Sequence, residues 1–312
     1  MNSESKKSRE KYRQTGLQSF FRGRLNIHLN CRTITGALSL AVYLILASLC
    51  WLSISACKSG SRQNEIVIAG STSIQPFADG WAELFMEKHS EVTVNVQGGG
   101  SSSGIMAVKE RTAHIGMSSR ELKEDEKDLI EITVAYDGLA IIVHPSNPVD
   151  NLSLDQVRSI FAGEIANWKV LNGTDKDITV VVREEGSGTR GAFQEMVMGS
   201  RRISKKAIVE DSNGVVREIV SRDRHSIGFI SLGLVDERVK AIALDGLRPS
   251  EEAITQGHYH LRRPFLFLVR EEPRGLIKEF IDFVLSDDIQ SRLPQEGLIP
   301  VKKIAAAGSF QD

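Results

Sequence analysis

The sequence predicts an α/β protein of two lobes whose sheets are mostly parallel and joined by a two-strand hinge. Four times an apolar, β-branched run leads through a hydroxyl-rich turn toward a helical pattern, the alternation that lays helices over a largely parallel sheet. Two further runs, Asp137-Gly138-Leu139-Ala140-Ile141-Ile142-Val143-His144-Pro145 and Pro264-Phe265-Leu266-Phe267-Leu268-Val269, read as single strands leaving a first lobe and returning to it. The 256 residues from 57 to 312 can bury a sizeable core and form one or two domains.

Residues 1 to 56 read as a targeting segment. Lys6, Lys7, Arg9, Lys11, Arg13, Arg22, Arg24 and Arg32 stand against Glu4 and Glu10, and no residue from Thr33 to Ala56 is charged. Ile54-Ser55-Ala56-Cys57 ends the apolar run with small residues before a cysteine, the pattern of a bacterial lipoprotein signal. Cleavage before Cys57 would let its thiol and new amino group take acyl chains. The expected product is anchored to the cell membrane, faces the periplasm or cell exterior, and hangs from a short tether over residues 57 to 64. An uncleaved transmembrane helix is the competing reading, since 24 uncharged residues can span a bilayer. Cys31, Cys50 and Cys57 are the only cysteines, so the cleaved chain has no disulfide.

Cleavage also changes the charge. Eight of 39 basic and two of 40 acidic residues precede position 57, which leaves 31 against 38 and a formal charge of −7. Nucleic acid is thereby disfavoured as a partner. An anion would have to be attracted locally, by aimed N–H groups and a few arginines, because the overall field repels it.

From the tether onward the elements follow in order. Ile66-Val67-Ile68-Ala69-Gly70 is a strand, Ser71-Thr72-Ser73 its polar turn, and Phe77, Trp81, Leu84 and Phe85 mark one helical face. Val92 to Gln97 is a strand that runs into Gly98-Gly99-Gly100-Ser101-Ser102-Ser103-Gly104. Ala113 to Met117 leads into Ser118-Ser119-Arg120 and the charged helix start Glu121-Leu122-Lys123-Glu124. Ser146-Asn147-Pro148 reads as the exit from the hinge. The second lobe then holds a helix near Leu154 to Phe161 and strands at 178 to 183, 226 to 231 and 240 to 244. A helix from Gly275 to Leu285 closes the fold on the face of Leu276, Ile277, Phe280, Ile281 and Val284.

The fourth turn, Arg183-Glu184-Glu185-Gly186-Ser187-Gly188-Thr189-Arg190, carries the most chemistry. It follows the strand Ile178 to Val182 and precedes a helix that Ser187 or Thr189 can cap. Its glycines let the backbone approach a ligand, the helix start presents unpaired N–H groups, and Arg183 adds a planar fork of donors suited to a tetrahedral oxyanion. Enzyme signatures are lacking: neither Gly-x-x-x-x-Gly-Lys-Ser/Thr nor Gly-x-Ser-x-Gly occurs. His258-x-His260 is ordinary strand alternation, and His114 and His144 fall in apolar strands where a structural role is expected. No metal, cofactor or catalytic residue is expected.

Ala-Gly-Ser-Thr-Ser at 69 to 73, Gln-Gly-Gly-Gly-Ser-Ser at 97 to 102, Ile-Gly-Met-Ser-Ser-Arg at 115 to 120 and Arg-Glu-Glu-Gly-Ser-Gly-Thr at 183 to 189 resemble the phosphate-binding proteins of phosphate ABC importers, in their shorter form. The resemblance runs in the same order through Ile160 to Trp168, Ile227 to Ser231 and Gly297 to Val301. It implies the type II periplasmic-binding-protein fold. Lobe one is then discontinuous, 65 to 144 plus 257 to 308, and lobe two is 145 to 256. It implies a monomer that is not an enzyme, with inorganic phosphate as ligand and an ABC permease and ATPase complex as partner. Other oxyanions (sulfate, molybdate, tungstate) and a sensor role toward a signalling receptor are the alternatives, with a phosphate-ester enzyme behind them. Phosphate contacts carry over to Thr72, Ser73, Ser101, Ser119, Arg183, Ser187, Gly188 and Thr189. Arg120 either binds the anion directly or pairs with a nearby carboxylate, and Glu185 either orients the arginine, as the family's acidic partner does, or is a solvated loop carboxylate. The chain departs from better-known members at Ser119, where they carry an aspartate that accepts phosphate's proton.

Overall fold

The computed structural model describes residues 64 to 303, so the targeting segment, Cys57 and nearly all of the tether lie outside the described residues. Among those described, no helix is long and apolar enough to cross a membrane. Strand β1 (Glu65–Gly70) leads into helix α1 (Gln75–Lys88), and β2 (Thr93–Gln97) leads into α2 (Ser101–Lys109). β3 (Ile115–Ser118) and β2 flank β1 on either side, both in parallel.

The third unit departs from expectation. No α-helix follows Ser118-Ser119-Arg120, and Glu124–Glu126 makes only a 3-10 turn. The Glu126 carboxylate is held by the Arg120 guanidinium and the Lys123 N–H, which folds the segment back on itself while Leu122 and Leu129 turn inward. β4 (Ile130–Val143) then begins seven residues before Asp137 and is 14 residues long.

The chain continues through β5 (Asn151–Leu152), α3 (Leu154–Ala162), β6 (Thr179–Arg183), α4 (Gly188–Phe193) with a π turn at Gln194–Met198, β7 (Ile208–Glu210), α5 (Asn213–Arg222) and β8 (Ser226–Ser231). β9 (Lys240–Ala241), β10 (Ala243–Leu244), α6 (Glu251–Thr255), β11 (Arg262–Val269), α7 (Gly275–Val284) and α8 (Asp287–Gln290) follow. Hydroxyls start the second-half helices: Ser153 accepts from Gln156 N at 3.1 Å and Ser212 from Val215 N at 3.2 Å, each satisfying a donor that a helix start leaves unpaired.

The main sheet runs β2-β1-β3-β11-β4-β8-β6-β7, with β9 also against β4. Pairing is parallel at both ends and antiparallel around β4 and β11. β4 is the shared strand: residues up to Gly138 pair with β11, and those from Leu139 pair with β8.

Because side chains alternate across a strand, both long strands bury both faces, which explains their continuous apolar runs. Phe265 and Phe267 join the core of Ile66, Ile68, Trp81, Phe85 and Phe280, while Leu266 and Leu268 face Ile105 and Val108. On β4, Leu139, Ile141 and Val143 pack with Phe161, Phe193 and Phe229, and Ala140 and Ile142 pack with Val181 and Val216. Leu261 belongs with the former set and Phe265 with the first core. We therefore propose that the lobes meet at 138/139, inside β4, and at 261/262, where β11 begins, rather than at the 144/145 and 256/257 boundaries the sequence predicts.

Candidate anion-binding site

Polar turns from β1, β2, β3 and β6 converge where the sheet changes partners, and α1, α2, α4 and α5 all begin around them. Helix starts carry positive partial charge and spare N–H groups, so this convergence favours an anion before any side chain is considered.

The hydroxyls interlock across the halves. Ser73 Oγ lies 2.7 Å from Thr189 Oγ1 and accepts Asn213 Nδ2 at 2.7 Å. Ser71 Oγ donates to Ser119 Oγ at 2.8 Å, and Ser119 N–H donates to Ser101 Oγ at 3.1 Å. Ser187 starts α4, its Oγ accepting from Arg190 N at 3.3 Å. Gly188 is pressed against this group: a Cβ there would overlap Ser101 Oγ and lie 2.5 Å from Ser119 Oγ. Gly188→Ala is accordingly expected to keep the fold, since α4 tolerates alanine, while lowering anion affinity at least about tenfold by forcing those hydroxyls apart. Titration calorimetry beside a thermal melt checks this.

Arg183 is 1% exposed at the end of β6. Its Nη2 donates to Thr72 Oγ1 at 3.0 Å, Glu184 Oε1 at 3.0 Å and the Asp211 carbonyl at 2.7 Å, and its Nε donates to Glu184 Oε2 at 3.0 Å. Nη1 is buried and has no protein partner among the described residues. Burial pushes the guanidinium's pKa down, opposed by Glu184. A buried donor of this kind is costly unless something accepts from it, and the hydroxyls around it suit an oxyanion.

A family model described as a PBP superfamily domain matches residues 55–288. The chain is 34% identical over 278 residues to the phosphate-binding protein PstS of Bacillus subtilis, across 85% of this chain and 92% of that relative. It belongs to the phosphate-binding-protein family of the PBP superfamily. PstS of Borreliella burgdorferi is 27% identical across 79% of this chain and 93% of its own length. Among solved structures, a putative phosphate ABC transporter substrate-binding protein with bound phosphate from Clostridium perfringens is 41% identical with a TM-score of 0.74, covering 76% of this chain and all of that one. An ABC-type phosphate transport receptor from Vibrio cholerae is 40% identical with a TM-score of 0.65, covering 75% and 99%.

In this phosphate-binding-protein family member, Thr72, Ser73, Ser101, Ser119, Arg183, Ser187, Gly188 and Thr189 lie together in one group. Two residues do not fit. Glu185 does not orient Arg183; its side chain is 93% exposed and reaches only Arg190, at 4.0 Å. Glu184 takes that role, because it alone turns inward beside the guanidinium.

Arg120 is committed elsewhere. Its guanidinium is engaged by both Glu126 oxygens at 2.7 and 2.9 Å and by the Glu121 carbonyl at 2.9 Å, leaving a contact with Ser102 Oγ at 3.5 Å. Those Arg120 hydrogen bonds hold the Glu126 carboxyl below its ordinary pKa. A lowered carboxylate contributes stability that is present above the unfolded pKa and lost as pH falls through the folded one. Glu126→Gln should therefore flatten the acid side of the thermal-stability profile while leaving phosphate affinity within about twofold; a large loss of affinity would restore Arg120 to the site.

Sequence reasoning missed a second arginine. Arg263 Nε and Nη2 donate to Asp137 Oδ2 at 2.9 and 2.8 Å, both side chains being essentially inaccessible. The two residues are direct cross-strand partners on β11 and β4, so strand register creates the pair. Arg263 also reaches Ser119 O at 3.3 Å, Ser119 Oγ at 3.5 Å and Ser73 Oγ at 3.4 Å. Burial pushes the Arg263 pKa down, Asp137 opposes it, and the nearby positive Arg183 adds to the depression. Two buried guanidiniums close enough to repel favour an anion between them. The available signal was Arg262-Arg263 opening a buried strand. Asn213 was missed as well, although Asp211-Ser212-Asn213-Gly214 repeats the polar helix start of the other turns.

Proposed function

We propose that this chain is an extracytoplasmic solute-binding lipoprotein, anchored at Cys57, that captures inorganic phosphate between its two lobes and delivers it to the permease and ATPase of an ABC importer. The observation that carries the reading is the buried, unpartnered Nη1 of Arg183 among hydroxyls drawn from both halves of the sheet. The names of its relatives support phosphate as the ligand and binding rather than catalysis as the role.

The anion would bridge Thr72, Ser73, Ser101 and Ser119 on one side and Arg183, Ser187, Gly188 and Thr189 on the other. Its oxygens accept from hydroxyls and N–H groups, beside the guanidiniums of Arg183 and Arg263, which Glu184 and Asp137 already pair. Contacts made by both lobes exist only when the lobes are together. Phosphate therefore binds the closed state better, and that difference lets a permease recognise the loaded protein.

The test is calorimetric titration of the purified protein with phosphate, followed by competition with sulfate, arsenate, molybdate and tungstate. One phosphate per chain is expected, displaced best by arsenate. A protein that binds another of these anions in preference, or none, overturns the assignment.

A further inference from the structure

Phosphate differs from sulfate at neutral pH in keeping a proton, so a site that selects phosphate needs an acceptor for it. Ser119 stands where a carboxylate would serve, and its Oγ already accepts from Ser71. Glu184 and Asp137, the carboxylates paired with the two arginines, are committed too. Both Glu184 oxygens accept from Arg183, Asp137 Oδ2 accepts twice from Arg263, and Asp137 Oδ1 accepts from Ser231 at 2.8 Å.

One buried side-chain acceptor beside these hydroxyls has no partner among the described residues. Asn213, the first residue of α5, is 1% exposed, and its Oδ1 is buried with no partner among the described residues. Its Nδ2 donates to Ser73 Oγ at 2.7 Å, and Ser73 Oγ lies 2.7 Å from Thr189 Oγ1, which ties the amide to the interlocked hydroxyls. Asn213 also follows Asp211 by two residues, and the Asp211 carbonyl holds Arg183 Nη2 at 2.7 Å. The same small region thus contains one buried donor lacking an acceptor, Arg183 Nη1, and one buried acceptor lacking a donor, Asn213 Oδ1.

We infer that Asn213 is the specificity-determining residue of the site: its side-chain carbonyl accepts the proton of a hydrogen-bearing oxyanion, while its amide group holds Ser73. The inference rests on the phosphate-binding reading above. A singly or doubly protonated tetrahedral anion satisfies both orphaned atoms at once. Sulfate satisfies only Arg183 and turns a lone pair toward Asn213 Oδ1, so it is penalised by repulsion between two acceptors. This gives discrimination through a neutral amide in a chain whose third turn carries serine.

The test measures phosphate and sulfate dissociation constants at pH 7 for the full chain purified in detergent, for Asn213→Leu and for Asn213→Asp, with circular dichroism melts confirming that each is folded. The expected result is that N213L narrows the phosphate-over-sulfate ratio at least tenfold, mainly by weakening phosphate. N213D, which keeps an acceptor and adds charge, widens it. Equal weakening of both anions in N213L, with the ratio unchanged, would show that the amide acts only through Ser73 and overturns the assignment, as would a narrowed ratio in N213D. Failure of the unsubstituted protein to bind phosphate is a separate outcome: it removes the phosphate reading itself and this inference with it.

Discussion

Replacing Arg183 by alanine should reduce phosphate affinity about 10- to 150-fold, because a hydrogen bond to a charged group contributes about 1.5–3 kcal/mol and about 1.4 kcal/mol is a factor of ten. The loss has two sources. The unpartnered Nη1 disappears, and so does the Nη2 that fixes Thr72 Oγ1 and the Asp211 carbonyl, leaving both elements free to drift from the anion. Arg183→Lys should recover little of it, since an ammonium on a flexible stem cannot serve Thr72, Glu184 and Asp211 together. Calorimetry on both variants decides the matter, and an affinity equal to that of the parent protein would take Arg183 out of the centre of the site. Glu184 is partly solvent-exposed, so its carboxylate can be hydrated once the arginine is gone and the fold should persist.

The largest effect on stability belongs to Asp137. Asp137→Leu leaves the Arg263 guanidinium buried and uncompensated, and breaking such a pair from one side costs about 3–5 kcal/mol. Burial acts on both partners, pushing the carboxyl's pKa up and the guanidinium's down, and each is held ionised chiefly by the other. The double variant D137L/R263M removes both charges and should regain most of the lost stability. It should not regain phosphate affinity, because Arg263 also orders Ser73 and Ser119. Denaturant melts of the two single variants and the double form a cycle that checks this. A D137L protein as stable as its parent would show that Arg263 finds other acceptors at the hinge.

Much of the fold was legible because its signals are local. The β-branched runs ending at Gly70, Gln97 and Arg183 are strands in the structure, and the hydroxyls after them stand in turns or in the first turns of helices. Ser187 caps its helix as predicted. No helix forms after Arg120 although Glu121-Leu122-Lys123-Glu124 has good helix chemistry, because the ion pair from Glu126 back to Arg120, six residues away, bends the segment into a single 3-10 turn. The resemblance places the acidic partner at Glu185, but the adjacent Glu184 is the one that faces Arg183, because backbone direction at the end of β6 turns it inward.

By itself the amino-acid order determined the strand and helix alternation, the position of the four hydroxyl turns and the placing of Arg183 at a strand end, since each depends on periodicity and composition over a few residues. Only the tertiary structure decided that Arg120 faces a carboxylate, that Asn213 reaches Ser73, and that Asp137 and Arg263, 126 residues apart, become cross-strand partners beneath the site. The Asp137–Arg263 pair follows from the register between β4 and β11, which is set by how two cores fill on either side of those strands, and no local window of the chain contains that information. Arg120 and Glu126 lie six residues apart, and there it is the path of the backbone, not the composition of the segment, that brings them together.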